Sequence, residues 1–218
     1  MIDYLPVMLS IDHPHPELET WVAARFEALN GHPVHIIRRQ NIAETLKALD
    51  PAFLKAWLWD FVPSDTQRIV YFDFDVIPLR PLPLLPDTSF AVSTDWLDER
   101  ARRMYPSLSA SHYFNAGLFV ARRETRACFN RLKSFALRRD CTSPFVRDGT
   151  KEQTPFNQLI QADFDVCWLP RAFNCLAHTG YSDLPTASML HLAAVRAGQQ
   201  WLIMEAVRLA LANELPTK

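Results

Sequence analysis

Two aspartates separated by a single residue, Asp73 and Asp75, are the residues of this chain best suited to chemistry. They follow an apolar run at residues 69–72 that is typical of a β-strand. Side chains at positions i and i+2 of an extended chain point to the same side, so the two carboxylates can converge on one cation. Hard oxygen ligands suit Mg²⁺ or Mn²⁺, which complete their shells with substrate phosphate oxygens. The pair therefore predicts metal-assisted chemistry on a diphosphate.

The five glycines of the chain form neither a P-loop nor a G-x-G-x-x-G turn. A protein that binds a diphosphate without such a loop must neutralise it with a metal ion and basic side chains, and Lys55 is one candidate. Two alternatives stay open at this point. The aspartates could be surface residues of a turn, or Asp73 could be the nucleophile of a haloacid dehalogenase type of phosphatase.

The elements that must position these residues alternate between strand and helix. Residues 5–11 predict a first strand, and apolar residues at helical spacing between positions 18 and 29 predict a helix that stops at Asn30-Gly31. Residues 34–37 predict a second strand, and Asp50-Pro51 predicts the start of another helix. This alternation indicates a parallel sheet covered on both faces, with ligands bound beyond the carboxyl ends of its strands.

Further motifs follow in order along the chain. Thr154 and Pro155 predict the N-cap and the first residue of a helix, which places Glu152 and Gln153 at its positively polarised start. The series in chain order is Asn115-Ala-Gly117 at the start of a predicted strand, Glu152-Gln153-x-x-x-Asn157, Leu169-Pro170-x-x-Phe173-Asn174 and Met189-Leu190-His191.

Taken in this order, the motifs resemble those of the family-8 glycosyltransferases, the retaining group that includes glycogenin and bacterial lipopolysaccharide galactosyl- and glucosyltransferases. The resemblance spans about residues 7–201. It implies an α/β protein with the GT-A, nucleotide-diphospho-sugar transferase fold, in which a Rossmann-like mixed sheet is flanked by helices. A single domain over residues 1–218 is expected.

The same resemblance implies an enzyme that moves a hexose from UDP-glucose or UDP-galactose to an acceptor hydroxyl, with a saccharide, a lipid-linked group or a protein as the acceptor. A non-catalytic nucleotide-sugar binding protein remains an alternative. The metal ligands implied for Mn²⁺ or Mg²⁺ are Asp73, Asp75 and His191. The residues implied at the reacting centre are Gln153, Glu152 and Asp75. Those implied to bind the donor are Asp12, Lys55, Asp73, Asn115, Gly117, Glu152, Gln153 and Arg196.

Three positions depart from the family pattern. Asp12 is followed by His-Pro-His-Pro where the family has Asp-Asn-Tyr, and Glu152 stands where the family has an aspartate. After His191 the family carries a glycine and Lys-Pro-Trp to grip the diphosphate, whereas this chain offers Arg196 at a shifted position. A guanidinium can replace the lysine as a phosphate clamp.

The sequence also gives expectations about the location and the partners of the protein. No apolar run approaches the length needed to span a bilayer, the first residues lack the features of a secretory signal, and four cysteines without CxxC spacing fit reduced thiols. We therefore expect a cytoplasmic protein with no nucleic-acid partner. The arginine-rich stretch from residue 100 to 139 fits either a solvated helix face or a surface for an anionic acceptor or membrane. Residues 201–211 predict a helix that packs on the core, with peripheral membrane contact as its alternative.

Overall fold

The strands form one large and one small sheet. The computed structural model describes residues 4–11, 15–95, 112–137, 152–179, 183–193, 195 and 197–212. Within these residues the strands are β1 (Leu5–Leu9), β2 (His35–Ile37), β3 (Arg68–Asp73), β4 (Val76–Pro78), β5 (Phe90–Thr94), β6 (Phe114–Arg122), β7 (Val166–Leu169), β8 (Cys175–Leu176) and β9 (Met189–His191). The strands predicted around residues 5–11, 34–37 and 69–72 are thus confirmed, with small changes at their ends.

The large sheet has six strands in the order β2-β1-β3-β6-β5-β7. β1 lies parallel to β2 and β3, and β5 lies parallel to β7, but β6 runs antiparallel to both of its neighbours. The mixed sheet implied by the family resemblance is therefore confirmed, and the all-parallel sheet inferred from alternation is wrong at β6. Eight of the nine residues of β6 are buried, and a near-continuous apolar strand carries no signal of its direction.

Helices cover both faces of this sheet. They are α1 (Pro16–Asn30), α2 (Leu58–Phe61), α3 (Arg126–Leu137), α4 (Gln153–Asp163) and α5 (Ala197–Leu211). Successive residues of β3 alternate between two hydrophobic clusters: Tyr71 packs with the cluster that includes residues of α3 and α4, and Phe72 with the one that includes residues of α1 and α5. In α5 Met204 is fully buried, so this helix packs on the core as expected, whereas Leu202 remains 72% exposed.

One of the two helix starts predicted from the sequence is confirmed, and the other lies at a different residue. Asp50 caps a 3₁₀ helix, Pro51–Trp57, by accepting a hydrogen bond from the Ala52 backbone N–H at 3.0 Å. Thr154, predicted as an N-cap, lies instead inside α4, and the helix begins directly after Glu152. The hydroxyl of Thr154 is 2.9 Å from the hydroxyl of Tyr113, a buried partner that lies far away in sequence.

The small sheet has the order β4-β9-β8. β4 and β9 are antiparallel, and their register places Val76 opposite His191. β9 thereby brings the end of the Met-Leu-His motif beside the chain that leaves β3. Among the described residues, no helix is both long enough and apolar enough to cross a bilayer.

Candidate functional site

The three side chains implied as metal ligands meet at one edge of the large sheet. Asp73 is the last residue of β3, Asp75 lies in the turn that leads to β4, and His191 ends β9. One oxygen or nitrogen atom from each residue lies within 4.8 Å of the others. The Nε2 atom of His191 is 3.4 Å from Oδ1 of Asp75. The expected convergence of the two aspartates is present in the structure.

This cluster has the properties of a cation site. Asp75 and His191 are 8% and 3% exposed, and the Nδ1 atom of His191 is buried with no hydrogen-bond partner among the residues that the structure describes. Burial raises the pKa of Asp75, but interactions with His191 and with the charge of Lys55 outweigh burial and leave that pKa below its usual value. Asp75 therefore remains a carboxylate at neutral pH. Carboxylate oxygens with one imidazole nitrogen fit Mn²⁺ or Mg²⁺.

Gly117 provides the room for this cluster. It lies on β6, where the register that pairs Phe72 with Leu118 places Gly117 next to Asp73. A Cβ atom at Gly117 would lie 2.2 Å from Cε1 of His191 and 2.8 Å from Oδ2 of Asp73. Such distances are far below van der Waals contact, so any side chain there would displace the imidazole or the carboxylate. The glycine of the Asn-Ala-Gly motif is explained by this close approach.

Lys55 connects the cluster to the start of α4. Its Nζ atom donates to Oδ2 of Asp73 at 3.0 Å and to Oε1 of Glu152 at 2.7 Å, and it is buried. The hydroxyl of Tyr71 donates to the other oxygen of Asp73. Burial lowers the pKa of Lys55, but the charges of Asp73 and Glu152 outweigh burial and raise that pKa above its usual value. Lys55 is thus a buried cation, already bound to two carboxylates.

Glu152 is the second carboxylate that Lys55 contacts. Burial raises the pKa of Glu152 against the opposing charge of Lys55, whereas the raised pKa of Lys55 favours the charged pair. We assign Lys55 and Glu152 as an ionised pair. The Lys55 ammonium lies 2.7 Å from the Glu152 carboxylate and 3.0 Å from a second carboxylate, that of Asp73, and the two negative charges stabilise it. The structure therefore places Glu152 against Lys55 as well as beside Gln153.

A second group of side chains surrounds Gln153. Its Nε2 atom donates to Oδ2 of Asp95 at 3.1 Å, and its Oε1 atom accepts from the Ala116 backbone N–H at 3.1 Å. Asn115 donates to the same Asp95 oxygen at 3.2 Å, and its own Oδ1 atom accepts from the Gly117 N–H at 2.9 Å. Both amide side chains are therefore held in fixed orientations beside the candidate metal ligands.

Asp95 and His178 belong to this group although the sequence analysis missed them. The His178 Nε2 atom is 3.2 Å from Oδ1 of Asp95, and its Nδ1 atom is 3.3 Å from the carbonyl oxygen of Ala193. Two acceptors can both be satisfied only by the doubly protonated ring. Hydrogen bonding to Asp95 accordingly raises the pKa of His178. Asp95 follows β5 directly, so its place at a strand end was a usable signal, whereas His178 carried none.

Gln200 is a further residue that the motifs did not reveal. It lies in the first turn of α5, and its Nε2 atom donates to Oδ2 of Asp75 at 3.0 Å and to the Leu192 carbonyl at 3.2 Å. The next residue, Trp201, stacks on Phe74 with ring centroids 5.6 Å apart. The start of α5 therefore holds both Phe74 and Asp75 of the Asp-Phe-Asp turn.

A cavity of about 310 Å³ opens beside the metal ligands. Ile11, Lys55 and Phe74 contribute to its walls together with both aspartates. Asp12 and Arg196, implied as donor contacts, lie outside the described residues, so their roles stay predictions. Lys55, Asp73 and Asp75 are the implied site residues that line this cavity.

The arginine-rich surface is largely neutralised where it is described. Each of four cations of β6 and α3 has a carboxylate partner, and the pairs are Arg122 with Asp87, Arg126 with Asp60, Lys133 with Asp60 and Arg131 with Asp163. This pairing favours the solvated-face interpretation over an anion-binding surface for that part of the stretch.

Comparison with solved structures identifies the fold. No protein-family model matches the chain, and no curated protein sequence matches it significantly. The structure is similar to a glycosyltransferase involved in glycosylation of the major capsid of PBCV-1, with a TM-score of 0.62 and 13% identity over 93% of this chain and 99% of that one. It is also similar to the galactosyltransferase LgtC in complex with donor and acceptor sugar analogues, with a TM-score of 0.57 and 15% identity over 98% and 96% of the two chains.

A third similar structure is mouse xyloside xylosyltransferase 1, with a TM-score of 0.50 and 13% identity over 88% of this chain and 98% of that one. At such low identity these matches establish the fold, and all three are glycosyltransferases. The chain has the GT-A fold that the motif order implied, and the phosphatase alternative finds no counterpart among these three neighbours.

The first prediction concerns Gly117. We expect Gly117→Ala to lower Mn²⁺ affinity by at least about tenfold, the scale seen when the surroundings of a metal ligand are disturbed, because the new methyl group displaces His191. Calorimetric titration with Mn²⁺ measures this. His191→Ala and the double variant complete a double-mutant cycle. The loss of binding free energy for Mn²⁺ in the double variant should be smaller than the sum of the losses in the two single variants. Unchanged affinity in Gly117→Ala would show that the imidazole takes no part.

The second prediction concerns Gln200. Replacing its amide by an apolar group of similar size, Gln200→Leu, frees Oδ2 of Asp75 and should weaken Mn²⁺ binding by about 10- to 100-fold. Gln199→Leu is the matched control, because Gln199 is the exposed neighbour on the same helix. Equal affinities for the two variants would contradict a positioning role for Gln200.

The third prediction concerns pH. Because the folded-state pKa of His178 is raised, its stabilising contribution is fully present below the unfolded pKa of about 6.5 and disappears as the pH rises through the folded-state pKa. The free energy of unfolding lost in His178→Gln should therefore be larger at about pH 5.5 than at about pH 8.5. Urea unfolding at both pH values tests this, with the exposed His112→Gln as the control. A pH-independent difference would refute the prediction.

Proposed function

We propose that this protein is a metal-dependent retaining glycosyltransferase that moves a hexose from a UDP-sugar to an acceptor hydroxyl. The observation that carries the proposal is the meeting of Asp73, Asp75 and His191 at the sheet edge of a GT-A fold. The oriented amides of Asn115 and Gln153 beside this cluster add support, since amide groups suit sugar hydroxyls. The acceptor can be a saccharide, a lipid-linked group or a protein.

Each described residue has a distinct part in this proposal. A divalent cation held by Asp73, Asp75 and His191 would neutralise the charge that develops on the departing nucleoside diphosphate. Lys55 balances the charge of Asp73 and fixes its orientation. Gln153 orients the sugar, because its amide is a poor nucleophile and is already held by hydrogen bonds.

Retention follows if the acceptor hydroxyl enters on the face that the diphosphate leaves. In that arrangement the hydroxyl proton passes to an oxygen of the leaving diphosphate, the bond from sugar carbon to diphosphate oxygen breaks, and the new glycosidic bond forms on the same face. The chain then needs no separate protein base to take the proton of the acceptor hydroxyl.

The fourth prediction is that UDP binds only together with a divalent cation. Calorimetry with UDP and GDP, each with and without Mn²⁺, should show metal-dependent UDP binding in the wild type and at least about a tenfold loss in Asp75→Ala, which removes a charged ligand. Asp65→Ala, an exposed aspartate away from the site, should bind as the wild type does.

Different outcomes separate the alternatives. No nucleotide binding under any condition would sink the proposal and direct attention to phosphomonoester hydrolysis. UDP-sugar binding without transfer to water or to any offered acceptor would instead support the non-catalytic binding protein. Transfer with retained anomeric configuration, read by NMR of the product, would support the complete proposal.

A further inference from the structure

A pocket of about 300 Å³ lies at the end of the large sheet where β3 begins and β6 ends. Its described lining residues are Gln67, Arg68, Arg122, Arg123 and Glu124. Arg68 is the first residue of β3 and Asp73 is the last, so at the usual rise per residue the pocket lies roughly 17 Å from the candidate metal site. It shares no described lining residue with the cavity beside the metal ligands. The pocket is therefore separate from the proposed donor site.

Two arginines of this pocket lie opposite each other on neighbouring strands. Arg68 of β3 and Arg122 of β6 are partners in the antiparallel register, so their side chains leave the same face of the sheet. Like charges directly opposite each other destabilise a pair of strands. An anion between the two guanidinium groups would replace this repulsion by attraction to both of them.

Arg123 adds a third cation, and its position is fixed by neutral partners. Its Nε atom donates to the carbonyl oxygen of Thr66 at 2.6 Å, and its Nη2 atom donates to that of Pro63 at 3.0 Å. The guanidinium group also lies 5.3 Å from the centre of the Trp59 ring. Within the part of the chain that the structure describes, Arg123 makes no ion pair and its Nη1 atom makes no hydrogen bond. The protein thus orients this cation without neutralising it.

The carboxylates near the pocket do not balance its three cations. Glu124 is the one carboxylate among the described lining residues, and its Oε1 atom accepts from the hydroxyl of Ser89. Arg122 is the pocket residue that belongs to the paired cations described above. Its side chain and that of its partner Asp87 are 41% and 81% exposed, and such surface pairs contribute little. With both carboxylates counted, three positive charges still face two negative ones.

We propose that this pocket binds a phosphate group, either as the free ion or as part of a phosphomonoester. Guanidinium groups match the geometry of phosphate oxygens and bind them through pairs of parallel hydrogen bonds. Three guanidinium groups around one pocket suit an anion that carries more than one negative charge and several acceptor oxygens. Neither the metal ligands nor the residues implied to bind the donor take part, so this site goes beyond the proposed function and does not depend on it.

The fifth prediction is that phosphate binds this protein without any divalent cation. Titration calorimetry in a phosphate-free buffer that lacks metal ions would compare inorganic phosphate, glucose 6-phosphate and neutral glucose. We expect both charged probes to bind at millimolar concentrations and glucose not to bind, because the three arginines recognise the phosphate group. Tighter binding of inorganic phosphate would identify the free ion as the ligand, and tighter binding of glucose 6-phosphate would identify an ester. Sodium chloride at equal ionic strength controls for screening of surface charges.

Two variants of opposite effect keep the test independent of folding. Arg122→Gln removes one cation from the pocket and should weaken phosphate binding at least about fivefold, because charge-assisted hydrogen bonds are lost. Arg126→Gln is the matched control, since it makes the same change at an exposed, ion-paired arginine outside the pocket. Glu124→Gln removes the carboxylate from the wall and should strengthen binding by about two- to fivefold. A folding defect cannot produce such a gain.

The remaining outcomes separate this pocket from the candidate metal site. Asp75→Ala should bind phosphate as the wild type does, and a loss in that variant would assign the binding to the metal site and overturn the proposal. Equal affinities of Arg122→Gln and Arg126→Gln would overturn it as well. No phosphate binding in the wild type would mean that the arginines only anchor the chain that precedes β5. None of these results bears on metal-dependent UDP binding, which tests the proposed function.

Discussion

Negative charge must be balanced at the end of β3, and the rest of the site depends on that balance. Asp73 ends a buried strand and Asp75 lies in the turn that follows it, where two carboxylates would repel each other in a medium poorer in water than the surface. Lys55 offsets this by lying against Asp73, and His191 lies against Asp75. A divalent cation would add to the same balance. The site is therefore already arranged for positive charge at its centre.

The small sheet brings His191 next to Asp75. Asp75 leaves β3 and continues into β4, and β4 pairs with β9, which arrives from more than a hundred residues later in the chain. Their pairing fixes His191 beside Asp75. Gly117 on the large sheet then allows the His191 imidazole to lie close to this sheet, because any side chain at that position would collide with the ring. The candidate metal site thus depends on both sheets and on the absence of a side chain at Gly117.

Asp95 divides the functional edge into two regions. On one side the amides of Gln153 and Asn115 lie near the metal ligands, and on the other side His178 and Asn174 line a separate cavity. A carboxylate shared by both regions ties the orientation of the two amides to that of the His178 ring.

The sequence by itself determined the strand that ends in Asp-x-Asp, and it predicted the GT-A fold and the three residues of the candidate metal site, because short motifs carry residue type and order, which are local properties. Only the tertiary structure decided that β6 is antiparallel, that Lys55 is buried between two carboxylates, and that His178 and Gln200 belong to the site. Strand direction in a fully buried strand leaves no trace in its apolar pattern. Likewise, contacts between residues far apart in the chain depend on how the sheets pack, which no local spacing encodes.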